Sequence, residues 1–166
     1  MISKYKIKSL VLTLSFIFLY VSSYGQKITI ENLIECSKIN ATQVSNYLLE
    51  KGFRYAGKSN NIDTLNPKSI RYQWVNKTTN FMNLPSEWIF KYDTLINGNH
   101  DPSIQYVIYS KSNYTSLIAS IFKNKFKLIK TEEYKGELIS RYSNRYYNIV
   151  MFRMADGGWD ILLNRN

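Results

Sequence analysis

The sequence predicts an α+β fold in which two helix-plus-antiparallel-sheet repeats share one core. Three observations lead there. A helix-period apolar stripe is followed by a series of strand-like runs, and this order occurs twice. An ungapped offset of 73 residues superposes the two helix-to-strand junctions: Val44 falls on Leu117, Leu48 on Ile121, Leu49 on Phe122 and Phe53 on Phe126. Clusters of Asn, Asp, Gly and Pro separate the strand-like runs, which is the chemistry of turns. One helix with one small sheet buries too little apolar surface alone, whereas two such units can cover each other.

The first 25 residues read as an export signal. Lys4, Lys6 and Lys8 make a basic start, Leu10 to Val21 is an apolar run of 12 residues, and Ser23 and Gly25 place small residues at −3 and −1 of a cleavage point after Gly25. The apolar run is shorter than the ~20 residues that a spanning helix needs, so no transmembrane span is expected in the mature chain. Cys36 lies too far beyond Gly25, behind the bulky Leu33-Ile34-Glu35, to be a lipidation site. The expected mature chain is secreted or periplasmic. Without its three signal lysines it sets 19 basic against 12 acidic residues, a net charge of +7. That balance bears on partners and not on the fold.

The mature chain divides into a first helix–strand repeat over 26–112 and a second over 113–166, forming one compact unit. Residues 26–32 read as a lead-in, with an edge strand through Ile28 and Ile30. Residues 31–52 read as helix, stopped by Gly52, with the alternative that a cap at Asn40 or Thr42 divides it into separate pieces over 31–38 and 41–51. Phe53 to Lys58 is extended, and the polar Ser59 to Lys68 reads as a loop. Strand-like runs follow at 70–76, 87–94 and 103–110, rich in β-branched and aromatic residues. Asn83 and Pro85, then Asn97-Gly98-Asn99 and Asp101-Pro102, mark the turns between them. The second repeat opens with a helix over 116–124. Strands are expected at 126–132, 137–142, 146–154 and 159–164, with Asp156-Gly157-Gly158 as a hairpin turn.

This order of elements, over most of residues 41–164, resembles the β-lactamase inhibitor protein architecture. It is also similar to the helix–three-strand modules of small envelope-assembly lipoproteins. The stapling disulfides of the inhibitor family cannot form with one Cys, and no functional residue carries across. The signal ending in Tyr24-Gly25 before Gln26-Lys27, with abundant Lys, Asn, Ile and Tyr, resembles short uncharacterised exported proteins of Bacteroidota.

Catalytic chemistry finds little to work with. The chain is 45% hydrophobic and 15% aromatic, enough for a packed core, but it holds one His and one Cys. An intramolecular disulfide and a thiolate-rich metal site are thereby excluded. His100 sits in a Gly-Asn-His-Asp-Pro turn without a positioned partner, and Cys36 among Leu33, Ile34 and Ile39 reads as a buried, inert thiol. Gly157-Gly158 precedes a strand and not a helix, so no phosphate-binding loop is present. Glu87 and Glu137, each opening a strand, are the carboxylates that a small hydrolase would use. No catalytic residue, metal or cofactor is therefore assigned.

The aromatics carry the functional expectation instead. By strand alternation Ile70, Tyr72 and Trp74 face one way and Arg71, Gln73 and Val75 the other; Trp88, Phe90 and Tyr92 share a face, as do Ile104, Tyr106 and Ile108. Both faces are partly aromatic, more than a small core needs. The expected binding surface draws on Tyr72, Trp74, Tyr92 and Tyr106, some of them solvent-exposed on one contiguous face, with Arg71, Lys123 and Lys127 at the rim. The expected function is that of a non-enzymatic binding protein of inhibitor, immunity or envelope-adaptor type, taking an envelope or extracellular protein. The alternative is a module for anionic lipid or glycan that uses the same aromatics together with the basic run Lys123, Lys125, Lys127, Lys130 and Lys135. Nucleic acid is not an expected partner, because no groove-reading helix or base-stacking motif is present.

Overall fold

The computed structural model describes residues 27–61, 69–76, 85–96 and 99–166. The expected signal segment and the turn residues Asn83, Asn97 and Gly98 lie outside these, as does the side chain of His100. Two short helices, α1 (Ile30–Lys38) and α2 (Ala41–Leu49), precede four strands, β1 (Phe53–Asn61), β2 (Ser69–Asn76), β3 (Glu87–Ile96) and β4 (Asn99–Ile108). Helix α3 (Lys111–Lys123) then leads to β5 (Lys127–Tyr134), β6 (Glu137–Ser143), β7 (Tyr147–Arg153) and β8 (Trp159–Arg165). The class is α+β.

Local chemistry accounts for the boundaries. Ile28 and Ile30 do not form an edge strand. The Thr29 N–H donates to Asn32 Oδ1 at 2.9 Å, which starts α1 at Ile30 and leaves both isoleucines fully buried. At α2, Asn40 and Gln43 cap reciprocally: Asn40 Oδ1 accepts from the Gln43 N–H at 3.0 Å, and Gln43 Oε1 from the Asn40 N–H at 3.1 Å. Helix α3 begins five residues earlier than expected, because Ser110 caps it through the Asn113 N–H at 3.3 Å. The repeat boundary at 112/113 therefore falls inside its first turn. Ser59 to Asn61 are strand and not loop, since Arg71, Ile70 and Ser69 stand opposite them as ladder partners. Polar composition alone cannot reveal such partners. Pro102 is tolerated within β4 because the ladder to β8 covers only Ile104–Ile108, so its missing N–H interrupts nothing on that side.

The eight described strands form one antiparallel sheet in the order β1-β2-β3-β4-β8-β7-β6-β5. Two four-stranded meanders thus meet through their last strands, with Tyr106 opposite Ile161 at the seam. The register divides the side chains between two faces. Trp74 donates from Nε1 to Ser45 Oγ in α2 at 3.0 Å, Lys91 from Nζ to Cys36 O in α1 at 2.9 Å, and Asn113 Nδ2 in α3 to the Glu87 carboxylate. Trp74, Lys91 and Glu87 share one face, so the three described helices lie on that side. The core fills the space between. Trp74, Ile89, Ile104, Tyr106, Ile161 and Leu163 come from the sheet; Leu33, Val44, Leu48, Leu117 and Ile121 come from the helices.

The 73-residue offset persists in the details. Val44 and Leu117, and Leu48 and Ile121, are fully buried, and Phe53 and Phe126 nearly so, while Leu49 and Phe122 are 55% and 56% exposed. Gly52 and Lys125 end their helices with positive φ, 88° and 60°. The register shifts between Tyr55 and Gly57 in β1 and between Leu128 and Lys130 in β5, so the bulges also correspond.

Candidate functional site

The sheet face away from the helices is the candidate site. No described helix packs on it. Its centre is a ladder on β3, where Trp88, Phe90 and Tyr92 follow at every second position, with Tyr109 edge-on to Trp88 at 5.6 Å beyond the end of β4. Val75 and Val107 stand opposite Trp88, and Phe152 and Leu162 continue the apolar surface onto β7 and β8. The Arg71 guanidinium lies over the Phe90 ring at 5.4 Å, and its Nε donates to Ser59 Oγ at 3.3 Å.

A polar chain crosses this surface. The Tyr92 hydroxyl donates to Gln105 Oε1 at 2.6 Å, and Gln105 Nε2 donates to Asp160 Oδ2 at 2.6 Å. The other oxygen, Asp160 Oδ1, is buried and has no side-chain partner among the described residues. Burial raises the Asp160 carboxyl above its usual value, opposed by the Gln105 amide. Burial likewise raises the Tyr92 phenol. These groups, with Thr94, Ser103, Phe152 and Leu162, line a depression of about 380 Å³. It offers an amide and a carboxylate inside an aromatic surface. An amide and a carboxylate are groups suited to hydrogen-bonding a ligand, and none of the described side chains here is a nucleophile paired with a base.

The sequence-derived aromatic set does not lie on this face. Trp74 and Tyr106 are fully buried beneath the helices. Tyr72, on the same side, stacks on Trp74 at 6.3 Å and is half-buried. Of the four expected aromatics, Tyr92 alone occupies the uncovered face. The physical reason is parity: Trp74 pairs with Ile89, which places it under α2, whereas Trp88 and Phe90 project away from the helices. Burial, with the Glu87 carboxylate beside it, holds the Tyr106 phenol well above its usual value. Arg71 is on the uncovered face as expected. Lys127 is exposed on the same face of β5, but Lys123 belongs to the helix layer, where its charge acts on Glu31. The basic run is therefore split between two surfaces. Alternation had placed Trp88, Phe90 and Tyr92 together; no sequence signal singled out Gln105, Phe152 or Asp160.

Two other concavities carry charge. One, of about 490 Å³, lies between the α1–α2 junction and the sheet and is lined by Lys38, Asn40, Lys91, Asp93, Tyr147 and Arg165. The Lys91 ammonium is already bound to the carbonyls of Cys36 and Ser37 at the end of α1, and desolvation lowers its pKa. The other, of about 510 Å³, is bounded by Lys125, Lys127, Ile129, Arg145 and Tyr146. Glu87 and Glu137 lie on opposite faces with three strands between theirs, so they do not form a carboxylate pair. Cys36 is buried, and burial pushes its thiol up to about 12. Among the described residues no helix is long and apolar enough to cross a membrane. Comparison with protein-family models, curated proteins and solved structures finds no match.

Proposed function

We propose that the chain is an exported, non-enzymatic binding protein whose uncovered sheet face receives an envelope or extracellular protein. The observation that carries this reading is the Trp88–Phe90–Tyr92 ladder, continued by Tyr109, Phe152 and Leu162, on a face that no described helix covers. Such aromatics give large contact area at low entropic cost, and hydrogen-bonded Tyr92, Gln105 and Asp160 hold a polar anchor among them. Arg71, with Lys127 and Arg141 farther out, supplies a basic rim that accelerates association with an acidic partner surface. The internal correspondence of helices, bulges and exposed positions supports a duplication, in which each helix–meander unit contributes half of this face.

The test is partner capture by the wild type and by Phe90→Ala and Tyr92→Ala variants of matched stability. The reading expects capture to fall in both variants while Leu49→Ala, on the helix side, captures normally. A second reading, binding of anionic lipid or glycan, draws on the concavity bounded by Lys125, Lys127 and Arg145, which has no acid in its lining. Retention on anionic vesicles that Lys125→Ala with Arg145→Ala abolishes, and that Phe90→Ala leaves intact, would favour it.

A further inference from the structure

An open antiparallel sheet has two edges, here β1 and β5, and an edge strand offers unpaired backbone groups to another strand. The two edges occupy corresponding places in their meanders and carry corresponding bulges, yet their chemistry differs. Past its bulge, β1 reads Gly57-Lys58-Ser59-Asn60; past its own, β5 reads Lys130-Thr131-Glu132-Glu133. Exposed apolar residues gather at β5: Leu128 is 52%, Ile129 65% and Tyr134 58% exposed. We propose that β5 pairs antiparallel with β5 of a second copy across a two-fold axis at Thr131, making the protein a homodimer with one continuous sheet.

Charge and face parity specify this register. Lys130 and Glu132 stand opposite Arg141 and Ile139 of β6 on the uncovered face, and Thr131 stands opposite Ser140 on the helix face. A two-fold axis normal to the sheet keeps each face continuous between the copies. Centred on Thr131, it sets Lys130 against Glu132 of the second copy, and does so twice. Glu132 already accepts from Arg141 Nε at 2.9 Å and pairs with its own Lys130, so the second lysine extends an alternating row of charges. Thr131 meets its own copy on the axis, a favourable cross-strand pair. The same operation on β1 sets Lys58 against Lys58, which repels. Lysines on an edge deter foreign strands, but those of β5 are complemented by acids when the incoming strand is its own antiparallel copy. The dimer reaches beyond the binding role: it places two uncovered faces on one side of a joined sheet, which suits bivalent capture.

Reciprocal charge changes test the register. In Lys130→Glu alone, the introduced carboxylate faces Glu132 at both contacts; in Glu132→Lys alone, the introduced ammonium faces Lys130 at both. Mixing the two restores an opposite pair at each contact. Sedimentation velocity at low ionic strength should give twice the monomer mass for the wild type, monomer mass for each variant, and twice the monomer mass for the equimolar mixture. Thr131→Arg and Thr131→Asp provide a second complementing pair that leaves the Glu132–Arg141 contact in place, and circular-dichroism melts confirm that each variant folds. Lys58→Glu in β1 should leave the dimer unchanged. A wild type that stays monomeric up to its solubility limit overturns the proposal. So do folded single variants that remain dimeric, or two folded complementing pairs whose mixtures stay monomeric.

Discussion

Two tryptophans on neighbouring strands give the most direct test of which sheet face is the core. Trp74 is fully buried beneath α2, stacked against Tyr72, with Nε1 bonded to Ser45. Trp88 is half-buried on the opposite face, edge-on to Tyr109. Burying a whole aromatic side chain removes about 200 Å² from water, worth ~5 kcal/mol at ~25 cal/mol per Å². Truncation to Ala keeps part of that and leaves a gap which the neighbours fill incompletely. The cost expected for Trp74→Ala is therefore about 3–5 kcal/mol, including the lost hydrogen bond to Ser45. Trp88→Ala loses a contact already shared with water and should cost less than about 1.5 kcal/mol. Urea unfolding followed by far-ultraviolet circular dichroism measures both. Iodide quenching adds an independent reading, since Trp88 fluorescence should be accessible and Trp74 fluorescence protected. Equal destabilisation by the two substitutions, or a neutral Trp74→Ala, would refute the assignment of faces.

Three further outcomes follow from burial and charge. Leu48→Ala and Ile121→Ala should each cost about 2–5 kcal/mol, whereas the corresponding exposed pair, Leu49→Ala and Phe122→Ala, should cost much less; denaturant melts of the four variants check the repeat correspondence. With its thiol pushed up to about 12 and no exposed surface, Cys36 should resist an aromatic disulfide reagent at pH 8 in the folded protein and react fully in denaturant; rapid native labelling would contradict its placement. Burial raises the Asp160 carboxyl above its ordinary 3.8, so between 3.8 and the raised value the folded chain holds a proton that the unfolded chain has released. The wild type should lose stability relative to Asp160→Asn as pH rises from 3.8 through the raised value, with a constant difference above it; parallel stability–pH curves would sink this reading.

The helix–strand order was legible because the helices that precede β1 and β5 carry 3.6-residue stripes, and Gly52 marks the end of the first. The offset was legible for the same reason, although the matching bulges at Ala56 and Ile129 were not, since a bulge depends on the partner strand. The faces were the hard part. Tyr72-Gln73-Trp74 and Trp88-Ile89-Phe90 both alternate, and either parity would satisfy a strand pattern. What decides between them is non-local: Ile89 pairs with Trp74 and Tyr106, and the buried Lys91 on the same face caps α1 through backbone carbonyls. A lysine at a core position argues against that parity by composition, yet its Nζ snorkels to the end of a helix and is satisfied there. Asp160 was illegible in the same way. It reads as a solvated acid after a Gly-Gly turn, and only the β4–β8 seam brings Gln105 against it.

The central claim is that the uncovered sheet face is where a partner binds. A photo-crosslinking residue placed at position 90, on the aromatic ladder, or at position 49, exposed on the helix side, reports on it directly in the native cells. The account predicts a discrete covalent adduct from position 90 that disappears in the Tyr92→Ala background, and none from position 49. Adducts from position 49 alone, or an adduct at position 90 indifferent to Tyr92, would contradict it.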